Sequence, residues 1–140
     1  MRVFPDTNVL ASAFGTRGLC ADVLRLIEAD HQLVTGEVVI EELCRVLRNK
    51  FEVPVATVKE LEVFLRGYHV EPKPRELLDL KLGDRNDLLV VSSAINAKSA
   101  ILITGDQEIL DLEEKPRGLK IQNPREFWNL AAGKHRSRGR

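Results

Sequence analysis

The run Ala100-Ile101-Leu102-Ile103-Thr104 is apolar at consecutive positions, so a strand there has no face to offer to water. Such a strand fits the interior of a parallel sheet covered on both sides. Two more short strands are predicted, at residues 1–5 (Met-Arg-Val-Phe-Pro, which Pro5 ends) and at Gln32-Leu33-Val34-Thr35. Lys120-Ile121-Gln122 reads as an edge strand.

Helical spacing fills the intervals. It predicts a short helix or turn over Asn8–Phe14, a mobile loop over Gly15-Thr16-Arg17-Gly18, and a helix over Leu19–Ala29. Another helix opens at Gly36 with Val38, Val39, Leu43, Val46 and Leu47 on its apolar side, and one follows Pro54 over Ala56–Arg66. Pro72 and Pro74 make His69–Pro74 extended or irregular. Helices are expected from Asp84 or Arg85 to about Ala97, over Gln107–Leu110, and over Pro124–Leu130 with proline in the first turn. Strand–helix alternation of this kind implies a three-layer α/β/α domain around a parallel sheet.

A chain of 140 residues suits one such domain. Residues 1–132 are read as that domain and residues 133–140 as a basic, disordered tail. The tail holds Lys134, Arg136, Arg138 and Arg140 without an acid, which leaves 17 basic against 21 acidic residues elsewhere, a balance of −4. An acidic body with a basic arm suits a metal site beside a segment that attracts phosphate. Cys20 and Cys44 match no zinc or redox spacing, so buried free thiols in a reducing cytoplasm are expected. No apolar run is long enough for a signal peptide or a membrane span, so no membrane partner is expected.

Chemistry concentrates in four acids from separate parts of the chain: Asp6, Glu42, Asp87 and Asp106. Asp6 and Asp106 directly follow predicted strands, and in such sheets ligands bind beyond the carboxyl ends of the strands. Each acid has an ordinary local explanation. Asp6, Asp84 and Asp106 suit helix N-caps, Asp87 suits a first turn, and one of Glu41 and Glu42 is a solvated helix acid. Capping accounts for them one at a time; their joint placement suits a hard divalent cation, which takes oxygen ligands and retains waters. His31, His69 and His135 are scattered, so no histidine acid–base pair is visible, and His31 is expected at the surface.

Asp6-Thr7-Asn8-Val9-Leu10, Glu42-Leu43-Cys44-Arg45-Val46-Leu47, Asp84-Arg85-Asn86-Asp87 and Thr104-Gly105-Asp106 follow in an order and spacing that resemble PIN-domain ribonucleases, and especially the VapC-like PIN proteins of toxin–antitoxin systems. The resemblance runs to about Leu130. It implies a parallel sheet of about five strands and a pocket binding Mg²⁺ or Mn²⁺ through Asp6, Glu42, Asp87 and Asp106. Asp84 corresponds to a frequent extra acid, and Asn8 and Thr104 to supporting polar positions. It further implies metal-assisted cleavage of single-stranded or loop RNA leaving a 5′-phosphate, an antitoxin partner and a homodimer. Pro5 and Leu88-Leu89 depart from the family pattern without removing a ligand.

Arg17, Arg45, Arg48, Lys50 and Arg85 are candidates to neutralise RNA phosphates, against a plain reading as solvated helix faces. Competing readings are an RNA-processing enzyme or a PIN-like scaffold that binds without cutting. A receiver-type phosphoacceptor lacks its opening acid pair here, and a dehalogenase-like phosphatase lacks its second Asp, Asn8 standing in that place.

Overall fold

The computed structural model describes the backbone of residues 1–138 and the side chains of residues 1–131. The elements are β1 (Arg2–Pro5), α1 (Thr7–Gly15), α2 (Leu19–Asp30), β2 (Gln32–Gly36), α3 (Glu37–Asn49), α4 (Val55–Arg66), β3 (His69–Glu71), α5 (Arg85–Asn96), β4 (Ile101–Ile103), α6 (Gln107–Leu110), β5 (Lys120–Gln122) and α7 (Pro124–Arg138). Five parallel strands run in the order β3-β2-β1-β4-β5. The chain winds from β1 outward to β3, then crosses back to build β4 and β5 on the other flank. The crevice between β1 and β4 is therefore the switch point of the sheet, where open α/β folds bind ligands.

Register explains the positions of the buried residues. Val3 sits opposite both Leu33 and Ile101, and Phe4 opposite Leu102, and all of these are buried. Ile101, Leu102 and Ile103 are covered on both faces, as a run without polar positions requires. Pro5 is tolerated inside the sheet for a geometric reason. The ladder to β2 registers only Arg2 and Val3, so the missing Pro5 N–H is not needed on that side. On the β4 side the ladder continues past it, with the Asp6 N–H donating to the Ile103 carbonyl at 2.9 Å.

Helices close both sides of the sheet. α3 presents Val38, Val39, Ile40, Leu43 and Leu47 inward. α5 is buried around most of its girth, from Leu89 through Ala94, and packs against β2 and α3. Gly36 permits that approach, since a Cβ there would lie 3.3 Å from the Ser93 Cβ. Leu89 joins this core and Leu88 packs against it, which accounts for apolar residues at both positions.

The extended stretch expected at His69–Pro74 gains a sheet partner, and two local expectations need correction. His69–Glu71 is a true strand at the sheet edge, its Val70 opposite Thr35; the prolines excluded helix but gave no sign of pairing. Cys20 and Cys44 are free but only half-buried. His31 is half-buried too, its ring edge-on to Phe127 at 5.7 Å. α7 continues past Leu130 to Arg138, while the side chains from residue 132 and the whole of residues 139–140, and with them the expected disordered basic tail, lie outside the described residues.

Candidate metal centre

Asp6 leaves β1 at the crevice, is only 5% exposed, and caps α1. Its Oδ1 accepts from the Val9 N–H at 2.9 Å, and its Oδ2 accepts from the Thr104 hydroxyl. Thr104, fully buried just after β4, also accepts the Asp106 N–H at 3.0 Å. One hydroxyl thus fastens the two strand-end acids to a common point. Burial pushes the Asp6 carboxyl above its ordinary value; the Thr104 and Val9 hydrogen bonds oppose this, and the charges of Asp106 and Glu42 add to it. Asp106 caps α6, its Oδ1 accepting from the Glu108 N–H at 2.9 Å.

The start of α5 supplies a second group. Asp84 caps the helix by accepting the Asn86 N–H at 2.7 Å. Asp87 follows in the first turn, where its carboxyl is pushed up to about 7. Burial is the largest cause, followed by the charges of Asp106, Asp84, Glu108 and Glu42. Glu42 comes from α3, is half-buried, and accepts from the Asn86 side-chain amide. Its neighbour Glu41 is the exposed member of the pair.

Asp6, Glu42, Asp87 and Asp106 therefore share one electrostatic neighbourhood at the switch point, with Asp84 and Thr104 bound into it. Asn8 stands apart: it is exposed in the first turn of α1 and takes no hydrogen bond among the described residues. Sequence reading missed two residues. Asn86 lay inside a motif noted only for its acids, and Glu108 follows Asp106 at a two-residue spacing that carried no signal.

An open cleft of about 670 Å³ is lined by Gly83, Asp84, Arg85, Asp87, Asp106 and Glu108. Asp6 and Glu42 are not in its lining; Glu42 couples to it through its charge on Asp87, and Asp6 through the charge of Asp106. Arg85 is the candidate cation that lines the cleft, whereas Arg17, Arg45, Arg48 and Lys50 are exposed elsewhere.

The donor set can be tested against a divalent ion. Every candidate donor is an oxygen, and among the described residues none of these acids is ion-paired with a basic side chain. Like charges are left uncompensated, as the raised Asp87 shows. Among the described residues no three acidic, histidine or cysteine side chains stand together so as to hold a metal ion among them. That fits a small hard cation retaining several waters and held by one or two carboxylates; it does not fit a dedicated all-protein cage.

No helix among the described residues is long and apolar enough to cross a membrane. The PIN domain family matches residues 3–115, a stretch that contains all four acids. No curated protein sequence matches the chain. In fold, the chain is similar to a chain of VapBC2 from Rickettsia felis, whose crystal structure is bound to a DNA fragment from their promoter. The TM-score is 0.61 at 19% identity, covering 88% of this chain and 98% of that one. Together with the acids gathered at the switch point, the family match identifies the chain as a member of the PIN domain family.

Proposed function

We propose that this protein is a metal-dependent endoribonuclease, the toxin of a toxin–antitoxin pair, that hydrolyses phosphodiester bonds in single-stranded or loop RNA. PIN domains are nucleases, and the fold likeness to a VapBC2 chain supports the toxin reading. One observation carries the catalytic part. The Asp87 carboxyl is raised to about 7, first by burial and then by acids from the β4–α6 segment, from the cap of α5 and from α3, with no basic partner among them. Such repulsion is what a cation relieves.

Asp6, Glu42, Asp87 and Asp106 would hold Mg²⁺ or Mn²⁺, one or two of them directly and the others through its waters. When bound, the ion supplies a water of lowered pKa and shields the charge that develops on phosphate. Thr104 holds Asp6 in place through its hydroxyl, and Asp84 fixes the start of α5 and so the position of Asp87. Asn8 is free to meet substrate from its exposed position. One of these carboxylates would also accept the proton of the attacking water. Arg85, in the cleft wall, offers a guanidinium to an RNA phosphate.

An antitoxin partner follows from the toxin reading, and Val63 and Phe64 of α4, both solvent-exposed, offer apolar surface for a homodimer. The test is cleavage of a pool of structured and unstructured RNAs with Mg²⁺ or Mn²⁺. EDTA abolishes it and Asp6→Asn abolishes it while the fold persists. Cleavage without metal, or by that variant at the wild-type rate, refutes the assignment. Co-purification with the product of a neighbouring gene tests the toxin label.

A further inference from the structure

We infer that Asn86, by holding one oxygen of Glu42, restricts that carboxylate to single-oxygen coordination and so favours Mg²⁺ and Mn²⁺ over Ca²⁺. The inference rests on the metal-site reading above and adds a determinant of ion choice to it. Asn86 is the second residue of α5. Its backbone N–H is taken by the Asp84 cap at 2.7 Å, which fixes where the residue stands. Its side-chain amide then reaches across 44 positions of sequence to donate to Glu42 Oε2. Among the described residues the Glu42 side chain makes no other hydrogen bond and no ion pair, so Oε1 is the oxygen left for a cation. The charge of Glu42 acts on both Asp6 and Asp87, which places it in the neighbourhood where the proposed ion would sit.

Coordination chemistry turns this geometry into selectivity. Mg²⁺ demands a near-octahedral shell and takes one oxygen from each of one or two carboxylates. Ca²⁺ accepts a larger and looser shell, to which a carboxylate often gives both oxygens. An amide seated on Oε2 opposes the second mode and leaves the first intact. Asn86 is thus a positioning residue acting through Glu42. A purely tertiary role, joining α3 to α5, would change stability without changing the preference between ions.

The experiment is calorimetric titration of the full chain with Mn²⁺ alone and with Ca²⁺ alone. It compares wild type with Asn86→Leu, Asn86→Ala and Asn86→Gln. Loss of the amide raises Ca²⁺ affinity relative to Mn²⁺ by about fivefold or more, a modest effect for the hydrogen-bond partner of a metal ligand. Asn86→Gln, which keeps a donor, returns the ratio toward wild type. In a Glu42→Gln background Asn86→Leu no longer moves it. An unchanged ratio while Mn²⁺ still binds overturns the inference and leaves the nuclease reading standing; no Mn²⁺ binding by wild type overturns both. Should the variants not fold, the Asn86 side-chain amide resonance in wild type decides. Mg²⁺ addition leaves that amide bonded, and its release on Mg²⁺ addition overturns the inference.

Discussion

Replacing Asp87 by Asn should stabilise the metal-free protein and at the same time weaken its response to metal. Asp87 ordinarily titrates at 3.8 and in the fold at about 7. Between those values the folded protein keeps a proton that the unfolded chain has released. Stability contributed by this group therefore falls as pH rises through the window and is fully lost above about 7. Taken at face value the shift would cost about 4 kcal/mol. Asp87 is only partly buried, and solvent screening reduces that to about 1–2 kcal/mol. Asn forfeits roughly 0.5 kcal/mol of favourable charge at the start of α5, so the net gain at about pH 8 is near 1 kcal/mol. In a domain of this size that is about 3 °C in melting temperature.

The assay is thermal unfolding of wild type and Asp87→Asn in EDTA at about pH 4 and pH 8, repeated with Mn²⁺. At the acidic pH the advantage shrinks to about 0.5 kcal/mol or less, because folded wild type is then protonated and the unfolded chain is near its own midpoint. Mn²⁺ raises the wild-type melting temperature by mass action and raises the variant's less. If Asp87→Asn is less stable than wild type at the alkaline pH without metal, or equally displaced at both, like-charge repulsion is not what shapes this site.

Other substitutions test other links. Asp6→Asn retains an acceptor for the Val9 N–H and keeps the fold, whereas Asp6→Ala loses the cap and about 1 kcal/mol in denaturant melts; both abolish metal-dependent cleavage. Thr104→Val strands Asp6 Oδ2 and the Asp106 N–H, which costs about 2–3 kcal/mol by urea unfolding. The same change raises the Asp6 carboxyl further, so half-maximal Mn²⁺ binding moves to higher pH. Leu102→Ala, in the middle of β4, costs about 3 kcal/mol by urea unfolding and leaves the residual folded fraction able to bind Mn²⁺.

Sequence showed the sheet well where pairing and burial leave a mark on composition. Ile101-Leu102-Ile103 could be nothing but interior, and the acids after β1 and β4 fell on one edge because parallel strands share a direction. β3 was opaque because its three residues have no alternation long enough to read, and its pairing with β2 is set by distant packing. The site divides in the same way. Asp6, Asp84 and Asp106 announce themselves by position at element starts. Glu42 lies in the middle of a helix, and only its burial relative to Glu41 separates the two. Asn86 and Glu108 acquire roles from partners that no local pattern specifies.

Capping and metal binding are often treated as competing explanations for an acid at the start of a helix, yet here the first prepares the second. Asp6, Asp84 and Asp106 are all N-caps. A cap holds its carboxylate at the helix N-terminus with one oxygen on backbone N–H groups, and in a parallel sheet the helix following a strand starts at the carboxyl edge. The rest of the carboxylate is then delivered to the crevice without further cost in side-chain order. At Asp106 the division is plain: Oδ1 accepts the Glu108 N–H, and Oδ2 accepts nothing among the described residues. Serine has one oxygen, enough for the cap and none to spare. Asp106→Ser should therefore melt within a few tenths of a kcal/mol of wild type once both are stripped of metal, because serine caps about as well as aspartate. Its gain in melting temperature on Mn²⁺ addition should collapse. A variant that unfolds outright would show that α6 needs the aspartate for more than its cap. One that keeps the full Mn²⁺ response would show that the free oxygen holds no ion.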